Sequence, residues 1–193
     1  MKRIFTILLL ALVTVTATAQ GQDQERPDRW YEVEVLLFEQ VDARTTEELP
    51  EDPGVVDTAG AIELMGDPGL AKGKPVAYQI LPAENYRLRG AFEKLRSSNK
   101  YQPLFHAAWR QSVPPRERAD RIHLGSQSVE GIITIGISRY LHATTDLLLH
   151  RSSGNDTGRK FRLEGSLRMR SGEVHYIDHP LGGMLIMFTP YNP

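Results

Sequence analysis

The chain has 193 residues, no cysteine, and 23 basic against 24 acidic residues, for a net charge of −1. The absence of cysteine excludes a disulfide framework, a thiol nucleophile and the acylated cysteine of a lipoprotein. The near-neutral charge does not indicate attraction of the whole domain to nucleic acid. The length suits one domain with a substantial core.

Residues 1–19 predict a secretory signal peptide. Lys2 and Arg3 precede a mainly apolar run at residues 4–15, and small residues follow at Ala17 and Ala19. A retained membrane anchor would need about 20 apolar residues, which is more than this run provides. We therefore expect cleavage after Ala19, a disordered lead at residues 20–28, and a mature protein in the periplasm.

The next two segments differ sharply in composition. Residues 29–38 alternate between apolar and acidic side chains before both faces become apolar, which predicts a first strand that enters the centre of a sheet. Residues 41–75 are rich in proline, glycine and acidic residues, so we expect a mobile acidic loop. The loop is either simply solvated or an acidic arm that folds back over an arginine-bearing strand when no ligand is bound.

One helix is predicted over residues 82–98. Pro82 suits the first turn of a helix, and apolar residues recur after it at helical spacing. These residues are Leu88, Ala91, Phe92 and Leu95.

The remaining elements are predicted strands. Apolar and polar residues alternate in several runs that are separated by glycine, proline and serine. The runs lie at residues 104–109, 131–137, 141–149, 161–170 and 183–189. This order predicts an α+β fold: a single domain over residues 29–193, mainly an antiparallel sheet with one main helix packed on it and a C-terminal β-meander.

Two short patterns were tested for catalysis and metal binding. Ser97 and Lys100 match the Ser-x-x-Lys motif of penicillin-recognising serine enzymes, but that motif places its serine at the start of a helix, whereas Ser97 falls at the end of one. His175, Asp178 and His179 would need a turn to bind zinc together, because Asp178 lies on the opposite strand face. We therefore predict no enzyme activity, no cofactor and no metal.

Arg162, Arg168 and Arg170 fall on the polar side of the strand predicted at residues 161–170. Arginine binds carboxylates through two parallel hydrogen bonds, so these side chains could bind an acidic ligand. The simpler interpretation, which we favour for these charges alone, is a solvated face that keeps the sheet soluble.

Three segments together resemble the CsiV family of periplasmic peptidoglycan-binding proteins. They are RWYEVEVLLF at 29–38, RYLH at 139–142 followed by Asp146 and Leu147, and RMRSGEVHYIDHP at 168–180. The resemblance implies a non-enzymatic envelope protein of Gram-negative bacteria that binds the cell wall and supports its integrity. It also implies a partner, an outer-membrane lipoprotein that activates a peptidoglycan synthase.

The residues and the resemblance together predict which side chains bind the wall. We expect the arginines to contact stem-peptide carboxylates and an aromatic ring to lie against a sugar. The predicted set is Arg162, Arg168, Arg170, Tyr140, Tyr176 and Trp109. Two alternatives stay open: a module that contacts only proteins, through an edge strand or the acidic loop, and a peptidoglycan hydrolase.

Overall fold

The structure is a computed structural model that describes residues 29–43, 45, 47–66, 76–152 and 158–192. The predicted signal peptide and the lead at residues 20–28 lie outside the described residues. In chain order the elements are β1 (Arg29–Gln40), β2 (Ile62–Glu63), β3 (Gln79–Ile80), α1 (Arg89–Arg96), β4 (Tyr101–Val113), β5 (Arg121–Gly125), β6 (Val129–Ile137), β7 (Leu141–His150), β8 (Lys160–Met169), β9 (Val174–His179) and β10 (Gly182–Tyr191).

The strands form two five-stranded sheets. The first sheet has the order β3-β4-β1-β10-β9, and the second has the order β2-β5-β6-β7-β8. All pairs are antiparallel except the short pairing of β2 with β5. The predicted α+β class and the single main helix are confirmed. Strands β6 to β8 form the predicted meander together with β5, which was not predicted. The last predicted strand, β10, belongs with β9 to the other sheet.

The hydrophobic core lies between the two sheets. Alternate residues of β1, among them Val33, Val35 and Leu37, share one buried cluster with residues of β6 and β7 such as Ile133 and Leu147. Because side chains alternate across a strand, one face of each sheet supplies this cluster. Each fully buried aliphatic side chain contributes roughly 1.5–3 kcal/mol, so the facing sheets hold the fold together without disulfides.

The helix is shorter than the sequence predicts. A 3₁₀ turn occupies Ala83–Asn85, and Tyr86 then adopts an extended backbone before α1 begins. The buried carboxylate of Glu34 accepts hydrogen bonds from the backbone N–H groups of Arg87 and Leu88, at 2.7 and 2.9 Å. These bonds connect the start of the helix to β1, an arrangement that helical spacing alone does not reveal.

A buried ion pair joins the ends of the two sheets. Arg151, just after β7, lies 3.4 Å from the carboxylate of Glu39 near the end of β1, and both side chains are almost fully buried. Ser152 donates two further hydrogen bonds to the same carboxylate, from its backbone N–H and its hydroxyl. A buried charge is tolerated only when it is paired and hydrogen-bonded in this way.

Candidate functional site

The structure separates the three predicted arginines. Arg162 forms a two-point contact with Asp146 on the neighbouring strand, with nitrogen–oxygen distances of 2.7 and 2.8 Å. Its remaining nitrogen donates to the backbone carbonyl of Pro53. The hydrogen bond with Asp146 raises the pKa of Arg162. The guanidinium of Arg162 is therefore already occupied within the protein.

Arg170 instead lines a cleft at one end of the domain, with Arg168 beside it. The cleft has a volume of about 180 Å³, and its polar lining includes Arg29, Arg139 and Tyr140 in addition to Arg170. Arg168 lies at the cleft's edge, with its guanidinium carbon 4.8 Å from the ring centroid of Tyr140. We call this site, made of Arg29, Arg139, Tyr140, Arg168 and Arg170, the arginine cleft.

Three parts of the chain build the arginine cleft. Arg29 is the first residue of β1, Arg139 and Tyr140 lie in the turn between β6 and β7, and Arg170 follows the end of β8. In the β6–β7 turn the backbone N–H of Ser138 donates to the carbonyl of Tyr140 at 3.0 Å. The site is thus assembled by strand ends from both sheets, which the buried core holds in place.

Residues with mainly apolar side chains also line the cleft. Tyr31, Leu141 and Met169 are among them, and each is at most 5% exposed. Ile137 packs against the same core and lines the cleft as well. The exposed lining of the cleft is therefore mainly polar, with a smaller apolar contribution.

Positive charge dominates the arginine cleft. Among the described residues, no carboxylate lines it, and Arg29, Arg139 and Arg168 form no ion pair with a described carboxylate. Arg170 forms a long ion pair with Glu173, at 4.0 Å, and both side chains are largely exposed. Arg139 and Arg168 also contact the Tyr140 ring, at 5.6 and 4.8 Å, within the range of a cation–π interaction.

The prediction that Trp109 contacts a sugar is wrong. Its ring is 0% exposed and belongs to the core between the sheets. The indole N–H donates to the side-chain oxygen of Gln111, which is also buried, at 2.7 Å. The strand alternation was visible in the sequence, but which side of β4 faces the other sheet is set by the packing of the whole domain.

Tyr176 lies in a different concavity. With Phe38, Tyr101 and Leu95 it lines an apolar groove of about 560 Å³ between α1 and the outer face of the first sheet. Its ring stacks on that of Phe38, with centroids 6.2 Å apart. Its hydroxyl donates to Asp178 at 2.7 Å, and burial together with this bond raises the pKa of Tyr176.

The arginine cleft and the apolar groove are separate sites. None of the residues that line the groove also lines the cleft. Arg29 of the cleft and Phe38 of the groove lie nine positions apart on β1, which corresponds to about 30 Å along a strand. Tyr140 is therefore the one predicted aromatic residue that the structure brings to Arg168 and Arg170.

Residues 47–66 of the predicted acidic loop, which we call the acidic segment, cross the outer face of the second sheet. At one end β2 pairs with β5, and Arg121 of β5 donates to the carbonyls of Asp57 and Ala59. At the other end the backbone carbonyl of Pro53 accepts a hydrogen bond from Arg162. Arg162 lies on β8, the strand at the opposite edge of the sheet from β2. The segment therefore covers the Arg162 end of β8.

A histidine anchors this segment to the sheet. His123 of β5 lies between two carboxylates, 2.6 Å from Glu63 and 3.0 Å from Glu130. Burial lowers the pKa of His123, but the hydrogen bonds to the two carboxylates outweigh that effect and raise the pKa overall. Protonation of this ring therefore strengthens the attachment.

The tested catalytic and metal patterns gain no geometric support. Ser97 caps the C-terminal end of α1. Within the part of the chain that the structure describes, no group of three histidine, cysteine or acidic residues could hold a metal ion. Sequence reasoning missed the buried contact between Glu34 and His106 at 2.7 Å. Because Glu34 also accepts the two N–H groups at the start of the helical segment, this pair has a structural explanation.

Arg29 and Arg139 are the functional candidates that sequence reasoning missed. Arg139 directly precedes Tyr140, and Arg29 begins the first predicted strand, so both stood inside segments already singled out. What the sequence lacked was the pairing of strands that brings these ends together.

Fold and site together define a two-sheet α+β domain with a cleft suited to anionic ligands. Among the described residues, no helix has both the length and the apolar character needed to cross a bilayer. A family model described as peptidoglycan-binding protein, CsiV, matches residues 4–191. The chain therefore belongs to the CsiV family. No curated protein and no solved structure matches the chain.

Proposed function

We propose that this protein binds peptidoglycan in the periplasm through the arginine cleft and, without catalysing a reaction, supports assembly and integrity of the cell wall. Membership of a family described as peptidoglycan-binding supports the ligand. The observation that carries the site is the contact of Arg139 and Arg168 with the ring of Tyr140, with Arg29 in the same cleft and no described carboxylate paired with any of these three arginines. Peptidoglycan carries the anionic groups that such a site attracts.

The roles of the predicted residues follow from their surroundings. Arg168 and Arg170 bind the ligand with help from Arg29 and Arg139, and Tyr140 provides the ring against which part of it lies. Arg162 is not a ligand-binding residue in this proposal, because Asp146 already occupies its guanidinium.

Sedimentation with purified sacculi tests the proposal. We expect the mature protein, residues 20–193, to pellet with sacculi at low salt and less at moderate salt, because exposed charges are screened. We expect no soluble fragments in the supernatant. Fragment release would favour the hydrolase alternative, and failure to pellet at either salt would refute direct binding to the wall.

A charge-matched pair of variants makes the assay specific for the cleft. The triple replacement Arg139→Gln, Arg168→Gln and Arg170→Gln should abolish pelleting. The control carries Arg89→Gln, Arg96→Gln and Arg159→Gln, three exposed arginines outside the cleft. Both proteins lose three positive charges, so equal loss of binding would indicate nonspecific attraction and refute the assignment of the cleft.

A second candidate function is contact with a protein partner. Val174 and Tyr176 are large apolar side chains exposed on β9, an edge strand of the first sheet, and Tyr176 also lines the apolar groove. Exposed apolar surface on an edge strand is typical of protein contacts. We propose that an outer-membrane lipoprotein that activates a peptidoglycan synthase contacts this surface.

Photo-crosslinking from position 174 in cells tests the second candidate. A crosslink to such a lipoprotein, absent when the crosslinker is placed at Arg159, would support it. Equal crosslinking from both positions would show that β9 is not a specific contact. A protein that crosslinks at β9 but never pellets with sacculi would favour a module that contacts only proteins.

A further inference from the structure

We propose that the arginine cleft recognises the free C-terminal carboxylate of a short peptide whose last residue has a small apolar side chain. This inference rests on the proposed binding of peptidoglycan and names the part of the polymer that is bound. It assigns the cleft to the end of a stem peptide and not to the glycan strand.

The size of the cleft limits what can enter. Its volume is about 180 Å³. Clefts that enclose drug-sized ligands measure roughly 300–1,000 Å³. The cleft can hold a carboxylate with one small side chain, whereas only part of a disaccharide unit could enter it.

The charge of the rim selects a carboxylate. A guanidinium matches the plane of a carboxylate and can donate two parallel hydrogen bonds to it. Arg162 and Asp146 show this geometry within the same protein, with distances of 2.7 and 2.8 Å. Arg168 belongs to the same strand but has no described carboxylate opposite it, and a ligand would supply the missing partner.

The apolar residues in the lining favour an apolar side chain next to that carboxylate. Tyr31, Ile137, Leu141 and Met169 line the cleft together with the arginines, although Tyr31, Leu141 and Met169 are each at most 5% exposed. A methyl group buried against them gains free energy through the hydrophobic effect, whereas a charged or hydroxylated side chain would lose hydration there. Alanine is the residue that combines a methyl group with the least volume.

Chemical blocking of carboxylates tests the inference separately from the proposed function. Sacculi are treated with a carbodiimide and ammonia, which converts carboxylates to amides and leaves the glycan intact. We expect the protein to pellet with untreated sacculi and to lose at least tenfold in affinity for amidated sacculi, which corresponds to about 1.4 kcal/mol. Equal pelleting with both would overturn the inference and leave the proposed function standing.

A soluble probe identifies the chemistry without the polymer. The dipeptide alanyl-alanine, in its L,L and D,D forms, is titrated against the full mature protein while the Nε–H signals of the arginines are followed by NMR. We expect shifts at Arg168 and Arg170 but not at Arg162, and none with alanyl-alanine amide or with alanyl-glutamate. Absence of shifts with the free dipeptide, or equal shifts with the amide, would overturn the inference even if sacculi bind.

A conservative variant distinguishes the two parallel hydrogen bonds of a guanidinium from the effect of its charge alone. Arg168→Lys keeps the positive charge but cannot donate two parallel hydrogen bonds. We expect it to bind alanyl-alanine at least tenfold more weakly than the unmodified protein. Unchanged affinity in this variant would show that the cleft attracts the ligand by charge and does not depend on two parallel hydrogen bonds to a carboxylate.

Discussion

Separate replacement of Arg162 and Arg168 by glutamine should distinguish an arginine that supports the fold from one that binds ligand. The two residues share a face of β8, so sequence alone gives them the same role. Arg168 has no described carboxylate partner and contacts Tyr140. Hydrogen bonds that involve a charged group contribute roughly 1.5–3 kcal/mol, so Arg168→Gln should weaken binding to sacculi by roughly 10- to 150-fold.

The expected effect of Arg162→Gln is on stability. Both members of the Arg162–Asp146 pair are about one-third exposed, and exposed pairs contribute roughly 0.2–1 kcal/mol. With the hydrogen bond to Pro53, the variant should lose about 1–2 kcal/mol of stability. In a domain of this size that lowers Tm by roughly 2–8 °C. Affinity for sacculi should stay unchanged at temperatures where the variant is folded.

Two assays on the same preparations decide the outcome. Urea unfolding gives the stability of each variant, and titration of sacculi at one low salt concentration gives its affinity. Arg168→Gln should lower affinity with little change in stability, and Arg162→Gln should do the reverse. If the folded Arg162→Gln variant binds sacculi as weakly as Arg168→Gln does, Arg162 takes part in binding. The argument that its ion pair with Asp146 prevents this would then be refuted.

Three further predictions concern the framework around the cleft. The pKa of His123 is raised above its unfolded value of 6.5, so its contribution to stability is fully present below that pH and is lost as pH rises through the higher folded value. Proteolysis of residues 47–66 should therefore accelerate at alkaline pH, and His123→Gln should remove this pH dependence; a persistent dependence would assign it to another group. Arg151→Met leaves the carboxylate of Glu39 buried without its charged partner and should cost about 3–5 kcal/mol in urea unfolding, whereas a loss below about 1 kcal/mol would mean that water reaches the carboxylate. Trp109→Phe removes a buried N–H donor and should cost about 1–3 kcal/mol without changing affinity for sacculi; weaker binding by the folded variant would contradict the placement of this ring in the core.

Local patterns predicted most of the longer strands because the physical cause of those strands is local. Alternation of apolar and polar residues located β1, β6, β7 and β8, since each of these strands has one face in the core. The helix was predicted too long because its true start depends on Glu34, which is distant in sequence and captures two backbone N–H groups. The spacing of apolar residues within the helix gives no information about that contact.

The division into two sheets could not be predicted from the same patterns. Ser171 and Gly172 between β8 and β9 have the composition of a hairpin turn, and Gly172 adopts a φ of 81°. The two strands nevertheless belong to different sheets, and the backbone N–H of Gly172 donates to Phe188 of β10. A turn signal fixes a change of direction, but the strand that becomes the partner depends on the whole core.

Only part of the candidate site could be predicted from the sequence, because some of its contacts join residues that are far apart in the chain. Sequence reasoning selected Arg168, Arg170 and Tyr140, which the structure brings together. It also selected Trp109, whose environment is set by packing, and it missed Arg29, which reaches the cleft only because the two sheets meet at that end. The type of each residue therefore indicated which ligand chemistry it could support. Its burial and its contacts could be known only from the folded structure.

The two ends of β8 give the strongest argument that the arginine cleft has a ligand. At one end Arg162 is neutralised by Asp146 and covered by the acidic segment. At the other end Arg29, Arg139 and Arg170 line one small cleft, and Arg168 lies beside it on the ring of Tyr140. Like charges so placed repel one another, and among the described residues the carboxylate that pairs with this group is Glu173, at 4.0 Å from Arg170. A face needed only for solubility could mix both signs of charge, as the Arg162 end does. The excess of positive charge at this end is therefore better explained by an anionic partner from outside the chain than by solvation alone.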